Sequence, residues 1–161
     1  MNQLTIFSQV HDQIGVIVLY IDGASRGNPG ISSVGCVIKK NDNILEEHGY
    51  YIGIKTNNQA EYSALLVGLF YVEKYISSSD ELLIISDSEL LVKQINGLYK
   101  VKDSTLRTLF GRAKELLVHI PHRVTHVLRA HNTHADMLAN RALDNKIPIP
   151  APLIPLIGTD V

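Results

Sequence analysis

Four carboxylates in this chain stand where solubility does not explain them. Asp22 ends the apolar run Val16 to Ile21, and Asp87 follows a second apolar run, Leu82 to Ile85, closed by Ser86. Glu61 is nearly the lone charge in a long apolar segment, and Asp136 stands near the start of the last helical pattern. A carboxylate at the end of a core strand either is paired or shifts its pKa, because burying its charge is costly. Several such groups drawn to one pocket repel one another unless a cation sits among them. Hard oxygen donors of this kind suit Mg²⁺ or Mn²⁺.

The elements that must position these acids can be read around them. An unbroken apolar run of strand length implies a strand covered on both faces. Strand one is expected over 14–22, a tight loop over Gly23 to Ser32, strand two over 33–40 and strand three over 44–52. The turn signal Asn41-Asp42-Asn43 makes strands one to three an antiparallel meander. Thr56 with Gln59, and Asn58 with Glu61, both match the spacing of a capping box, so a helix opens at Thr56. Its body, Ala60 to Ile76, is apolar almost all round and therefore buried on several sides.

The connection from strand three to Leu82–Ser86 is too long for a hairpin and suits a crossover to a parallel strand. A helix follows Asp87 and breaks at Asn96-Gly97. Another runs over 104–119, a fifth strand over 124–128 and a last helix over 133–145. The order is β-β-β-α-β-α-α-β-α, an α/β (mixed α+β) domain over 14–146, with a loose arm at 1–13. Four of the six prolines fall in the tail 147–161. That tail is expected to contain neither helix nor inner strand.

Each acid also has a plain structural reading. Asp22-Gly23 makes a turn, and Glu61 pairs with Asn58 in a cap. Asp87 suits a helix N-terminus, with Ser86 and Glu89 as cap and partner. Asp136 reaches back to Thr133. The joint pattern of two strand ends and two helix starts favours a shared site, since parallel strands carry sites at their carboxyl ends.

The length of 161 residues suits one core, and the 45% hydrophobic and 19% charged content is that of an ordinary globular chain. A net charge of −1 rules out a strongly basic field, so a nucleic-acid partner would be held by a local patch. The lone Cys36 permits no intrachain disulfide and reads as a buried, inert thiol. No signal sequence or membrane span is evident, so a cytoplasmic protein is expected.

The segments YIDGASRGNPG, TNNQAEYSAL, IISDSELLVKQI and HNTHADMLANRAL carry a resemblance to the type 1 ribonuclease H family over about residues 14 to 145. The resemblance implies a five-stranded mixed sheet with helices on both faces. It also implies hydrolysis of the RNA strand of RNA/DNA hybrids, leaving 5′-phosphate and 3′-hydroxyl ends. By position, Asp22, Glu61, Asp87 and Asp136 match the family's metal-binding acids, which hold two Mg²⁺ ions, with Mn²⁺ as an alternative. A 2′-hydroxyl in the wide minor groove would be met by the backbone of Gly23, Ser25, Arg26, Gly27 and Asn28 and the side chains of Asn57, Asn58 and Gln59. Asn57 and Asn58 match the family's hybrid-contacting positions, with a helix cap as the plain alternative. Thr56 matches part of a pocket for a DNA phosphate.

There are departures from the family. Many relatives carry a basic, aromatic-rich insertion between the middle helices, and Gly97 to Lys102 leaves no room for one. Weaker hybrid binding with a shallow salt dependence is therefore expected. Before the last aspartate, His131 or His134 stands in for a histidine that some relatives place in a longer loop, or else is simply exposed. His119, His122 and His126 suggest zinc by count, but no cysteine accompanies them. The expected partner is an RNA/DNA hybrid, with double-stranded RNA as an open alternative, and a monomer is expected. The rival reading is a non-catalytic binding module that keeps the fold. A nuclease domain of a larger polyprotein is a third, against which the initial methionine and short tail argue.

Overall fold

A computed structural model of the protein describes residues 15–158. The expected arm, 1–13, and its boundary with the first strand lie outside this range. Three strands form the meander: β1 (Val16–Gly27), β2 (Gly30–Lys40) and β3 (Asn43–Lys55). Helix α1 (Asn57–Val72) crosses to β4 (Glu81–Ser86). Then come α2 (Glu89–Ile95), α3 (Ser104–Leu117), β5 (His122–His126) and α4 (Thr133–Asn145). The sheet order is β3-β2-β1-β4-β5, antiparallel across β3, β2 and β1 and parallel across β1, β4 and β5. The expected mixed five-stranded sheet is what forms.

Alternation along β1 sorts the two layers. Ile17, Leu19 and Ile21 are fully buried, and the packing of Gly68 on Leu19 puts them under α1. Asp22 therefore points to the other face. There it pairs with Gly35 on β2, which in turn pairs with Gly49 on β3. A Cβ on Gly35 would run into the backbone of Ala135 and Ala139, and one on Gly49 into that of Leu138. This row of bare backbone lets α4 lie close against the sheet. Ser33 Oγ donates to the Ala139 carbonyl at 2.5 Å and pins it there.

Several expectations are corrected. The segment from Gly23 to Ser32 is not a loop. β1 and β2 stay paired to Gly27 and Gly30, and only Asn28-Pro29 turns. The glycines serve close packing as much as turning, since a Cβ on Gly23 would strike the backbone of Ala60 and Glu61. Of the two candidate capping boxes, Thr56 with Gln59 forms and Asn58 with Glu61 does not. The cap of α2 is Ser88 rather than Ser86, whose Oγ instead accepts from the Ser88 N–H. No side chain caps α4, so Asp136 does not reach back to Thr133.

The proline-rich tail also departs from expectation. It forms a 3₁₀ turn at Ala151–Leu153 and a short helix α5 (Ile154–Ile157), with proline in the first turn of each, where its missing N–H is not needed. Ile149, Leu153 and Ile157 are buried in the main core. Cys36 on β2 is buried in that core too, and burial pushes its thiol up to about 12. Among the described residues, no helix is long and apolar enough to cross a membrane.

Candidate active site

Register places the first two acids side by side. Ile21 on β1 pairs with Ser86 on β4 in parallel, so Asp22 and Asp87 leave neighbouring strands one residue later. Glu61 arrives from the first turns of α1. Its Oε2 accepts from the Gly23 N–H at 3.2 Å, which turns the carboxylate toward the end of β1. One oxygen each from Asp22, Glu61 and Asp87 lie within 4.8 Å of one another.

Asp136 comes from the first turn of α4 and lines the same cleft. One tether holds the start of α4 against β1, and a second contact, within the helix, turns the Asp136 carboxylate. Asn132, buried just before α4, donates from Nδ2 to the Ile21 carbonyl at 2.8 Å. Asn140, one turn along, donates to the Asp136 carboxylate at 3.2 Å and to its carbonyl at 3.0 Å. Arg129 Nη2 reaches the same Asp136 oxygen at 3.1 Å.

The acids disturb one another as like charges must. Burial, then Asp87 and Asp136, push the Asp22 carboxyl up to about 8. Burial, then Asp22 and Asp87, hold Glu61 well above the usual carboxylate range. Asp87 Oδ1 is buried with no hydrogen-bond partner. An orphaned carboxylate oxygen beside two other acids is what a divalent cation would satisfy, and all-oxygen donors suit Mg²⁺ or Mn²⁺. The residues present therefore fit such an ion.

A family model described as Reverse transcriptase-like matches residues 20–142. A ribonuclease HI of Halobacterium salinarum is 44% identical over 136 residues, covering 83% of this chain and 67% of that protein. The chain belongs to the type 1 ribonuclease H family. Among solved structures, the RNase H1 of Halobacterium salinarum NRC-1 superposes with a TM-score of 0.77 at 44% identity, covering 81% of this chain and 99% of that one. LC11-RNase H1 in complex with an RNA/DNA hybrid superposes at 0.74 with 38% identity, covering 80% and 97%.

In this ribonuclease H-family protein the other sequence candidates divide. Gly23, Ser25, Arg26 and Asn57 line the acid cleft. Asn28 stands beside it, its Oδ1 accepting from the Asn57 N–H at 3.0 Å, and Gly27 takes a positive φ of 101° at the hairpin end. Thr56 and Gln59 spend their side-chain oxygens on each other's backbone N–H groups, while Asn58 is exposed. His131 and His134 are not brought to the acids. They line a separate cleft with Tyr20 and Lys39, and His134 Nε2 lies 2.7 Å from Glu47.

Sequence reasoning missed three residues of this ribonuclease H-family site. Asn140 follows Asp136 by four positions and was discoverable from helical spacing. Arg129 and Asn132 carry no comparable local signal.

Proposed function

We propose that this protein is a divalent-metal-dependent endoribonuclease that hydrolyses the RNA strand of RNA/DNA hybrids, leaving 5′-phosphate and 3′-hydroxyl ends. The observation that carries this reading is the convergence of Asp22, Glu61 and Asp87 to within 4.8 Å, with Asp136 beside Asp22. The relative LC11-RNase H1, solved with an RNA/DNA hybrid, supports the choice of substrate.

Asp22, Glu61, Asp87 and Asp136 would together hold two Mg²⁺ ions; Mn²⁺ suits the same donors. Such ions, when bound, supply activation of water and counter-charge for the negative charge that develops at phosphorus. The chain's own residues prepare that chemistry. Gly23 orients Glu61, and Asn140 orients Asp136. Gly23 to Asn28, with Asn57, Asn58 and Gln59, would face the wide minor groove, where the 2′-hydroxyl marks the RNA strand. Close approach is helped by backbone that carries no Cβ at Gly27. Thr56 would sit near a phosphate of the DNA strand. The protein acts as a monomer in the cytoplasm on this reading.

The test is Mg²⁺-dependent cleavage of a labelled hybrid beside matched double-stranded RNA and DNA. Cleavage of the hybrid in its RNA strand supports the proposal, and cleavage of double-stranded RNA as well would widen the substrate class. Equal cutting of plain DNA makes the protein a general nuclease. Binding without cutting leaves a non-catalytic module.

A further inference from the structure

Two arginines line the acid cleft, and each rests on an aspartate of α4. Arg129 rests on Asp136. Arg26, one residue before the end of β1, places Nη2 2.6 Å from Asp144 Oδ1. Asp144 follows Asp136 by eight residues, about 12 Å along a helix axis. It lies in the last turn of α4, where the negative end of the helix disfavours an acid. Arg26 offsets both charges. The pair is open to water, with 46% of the Arg26 side chain and 60% of Asp144 exposed. Exposed ion pairs contribute little to stability, so this one exchanges partners cheaply.

We propose that Arg26 grips a phosphate of the nucleic-acid strand lying in the cleft, and that Asp144 is its resting partner, competing with that phosphate for the guanidinium. The inference rests on the hybrid-cleaving reading above and adds a residue that sets how tightly the strand is held. A guanidinium fork matches two phosphate oxygens as well as it matches a carboxylate. Arg26 stands at the rim of the cleft that holds Asp22, so a strand reaching the acids passes it. Asp144 keeps the fork in place and neutralised until the strand arrives. That lowers affinity and favours release of the cut product.

The experiment measures hybrid binding without metal, by fluorescence anisotropy, together with KM and kcat in Mg²⁺. It compares the wild type with Arg26→Gln, Arg26→Lys, Asp144→Asn and the Arg26→Gln/Asp144→Asn double variant. Thermal melts show that each variant is folded. Arg26→Gln weakens binding about tenfold or more, the loss of one charge-assisted contact. It lowers the salt slope by about one phosphate. Arg26→Lys falls between the two, because it keeps the charge and loses the fork.

Asp144→Asn tightens binding about two- to fivefold, the range of an exposed pair. The double variant binds like Arg26→Gln alone. If Asp144→Asn tightens binding as much in the Arg26→Gln background, Asp144 acts as a plain negative charge and the proposal fails. It fails too if Arg26→Gln changes kcat and leaves KM alone. A wild type that binds hybrid yet does not cut it would overturn the catalytic reading and leave the latch measurable. A wild type that cuts, with none of these shifts, would overturn the latch alone.

Discussion

The Gly23 N–H donates to Glu61 Oε2 at 3.2 Å, and no side chain stands between β1 and the start of α1 at that point. This contact makes Gly23 the spacer that sets one acid against another. Gly23→Ala puts a methyl into the backbone of Ala60 and Glu61. We expect a loss of about 1–3 kcal/mol, the range for overpacking, from a backbone that has little room to shift. Hybrid cleavage should fall further than stability does, because Glu61 moves with the helix. Urea titration beside a cleavage assay checks both, and a variant with wild-type turnover would remove Gly23 from this role.

Asp87 is expected to oppose folding and serve chemistry. Its Oδ1 is buried without a partner beside two other acids. Asp87→Asn removes the charge and supplies an N–H donor to its neighbours. In chelator, the variant should be more stable by about 1 kcal/mol. In Mg²⁺ it should lose cleavage by about a hundredfold or more, the scale of a deleted catalytic electrostatic group. Hybrid binding should persist. Unchanged turnover would take Asp87 out of the site.

Asp22 gives the pH dependence its sign. Its carboxyl ordinarily titrates near 3.8 and in the fold titrates at about 8. Between those values the folded chain holds a proton that the unfolded chain has lost, so stability falls as pH rises. Each unit is worth about 1.4 kcal/mol, and a kcal/mol moves Tm by about 2–4 °C in a chain of this size. Burial raises Glu61 in the same direction. The metal-free protein should therefore melt lower at pH 8 than at pH 5. Added Mg²⁺ favours the charged carboxylates and should raise Tm more at pH 8, where fewer protons must be displaced. Calorimetry with and without the ion reads this directly; equal shifts at both pH values would argue against a cation site at Asp22.

The C-terminal segment should prove structural. Leu153 is fully buried in the main core. Leu153→Ala should cost about 2–5 kcal/mol, the range for a buried leucine cut back to alanine. Chemical denaturation measures it, and a cost near zero would mean that the segment is dispensable.

Much of the fold was legible because apolar period and capping chemistry are local. The runs ending at Asp22 and Asp87 fixed two parallel strands and the side of the sheet where acids emerge. Thr56 and Gln59 located the start of α1 to the residue. Misreadings arose where one residue type serves two physical ends. Glycine at 23 suggested a turn, whereas the chain uses it to let a helix touch a strand. Proline at 152 and 155 suggested an irregular tail, yet each stands in the first turn of a short helical segment. Asn132 and Arg129 reach the site through tertiary contacts with the end of β1 and with Asp136, which no spacing encodes. His131 and His134 precede Asp136 in sequence, but the chain turns them to the other side of the α4 start.

Cys36 gives the molecule an internal clock. Its side chain is buried beside that of Ile21 on the face that α1 covers, and its thiolate is suppressed by burial. A thiol reagent can therefore reach it only when the packing of α1 on the sheet opens, so the speed of alkylation counts those openings one molecule at a time.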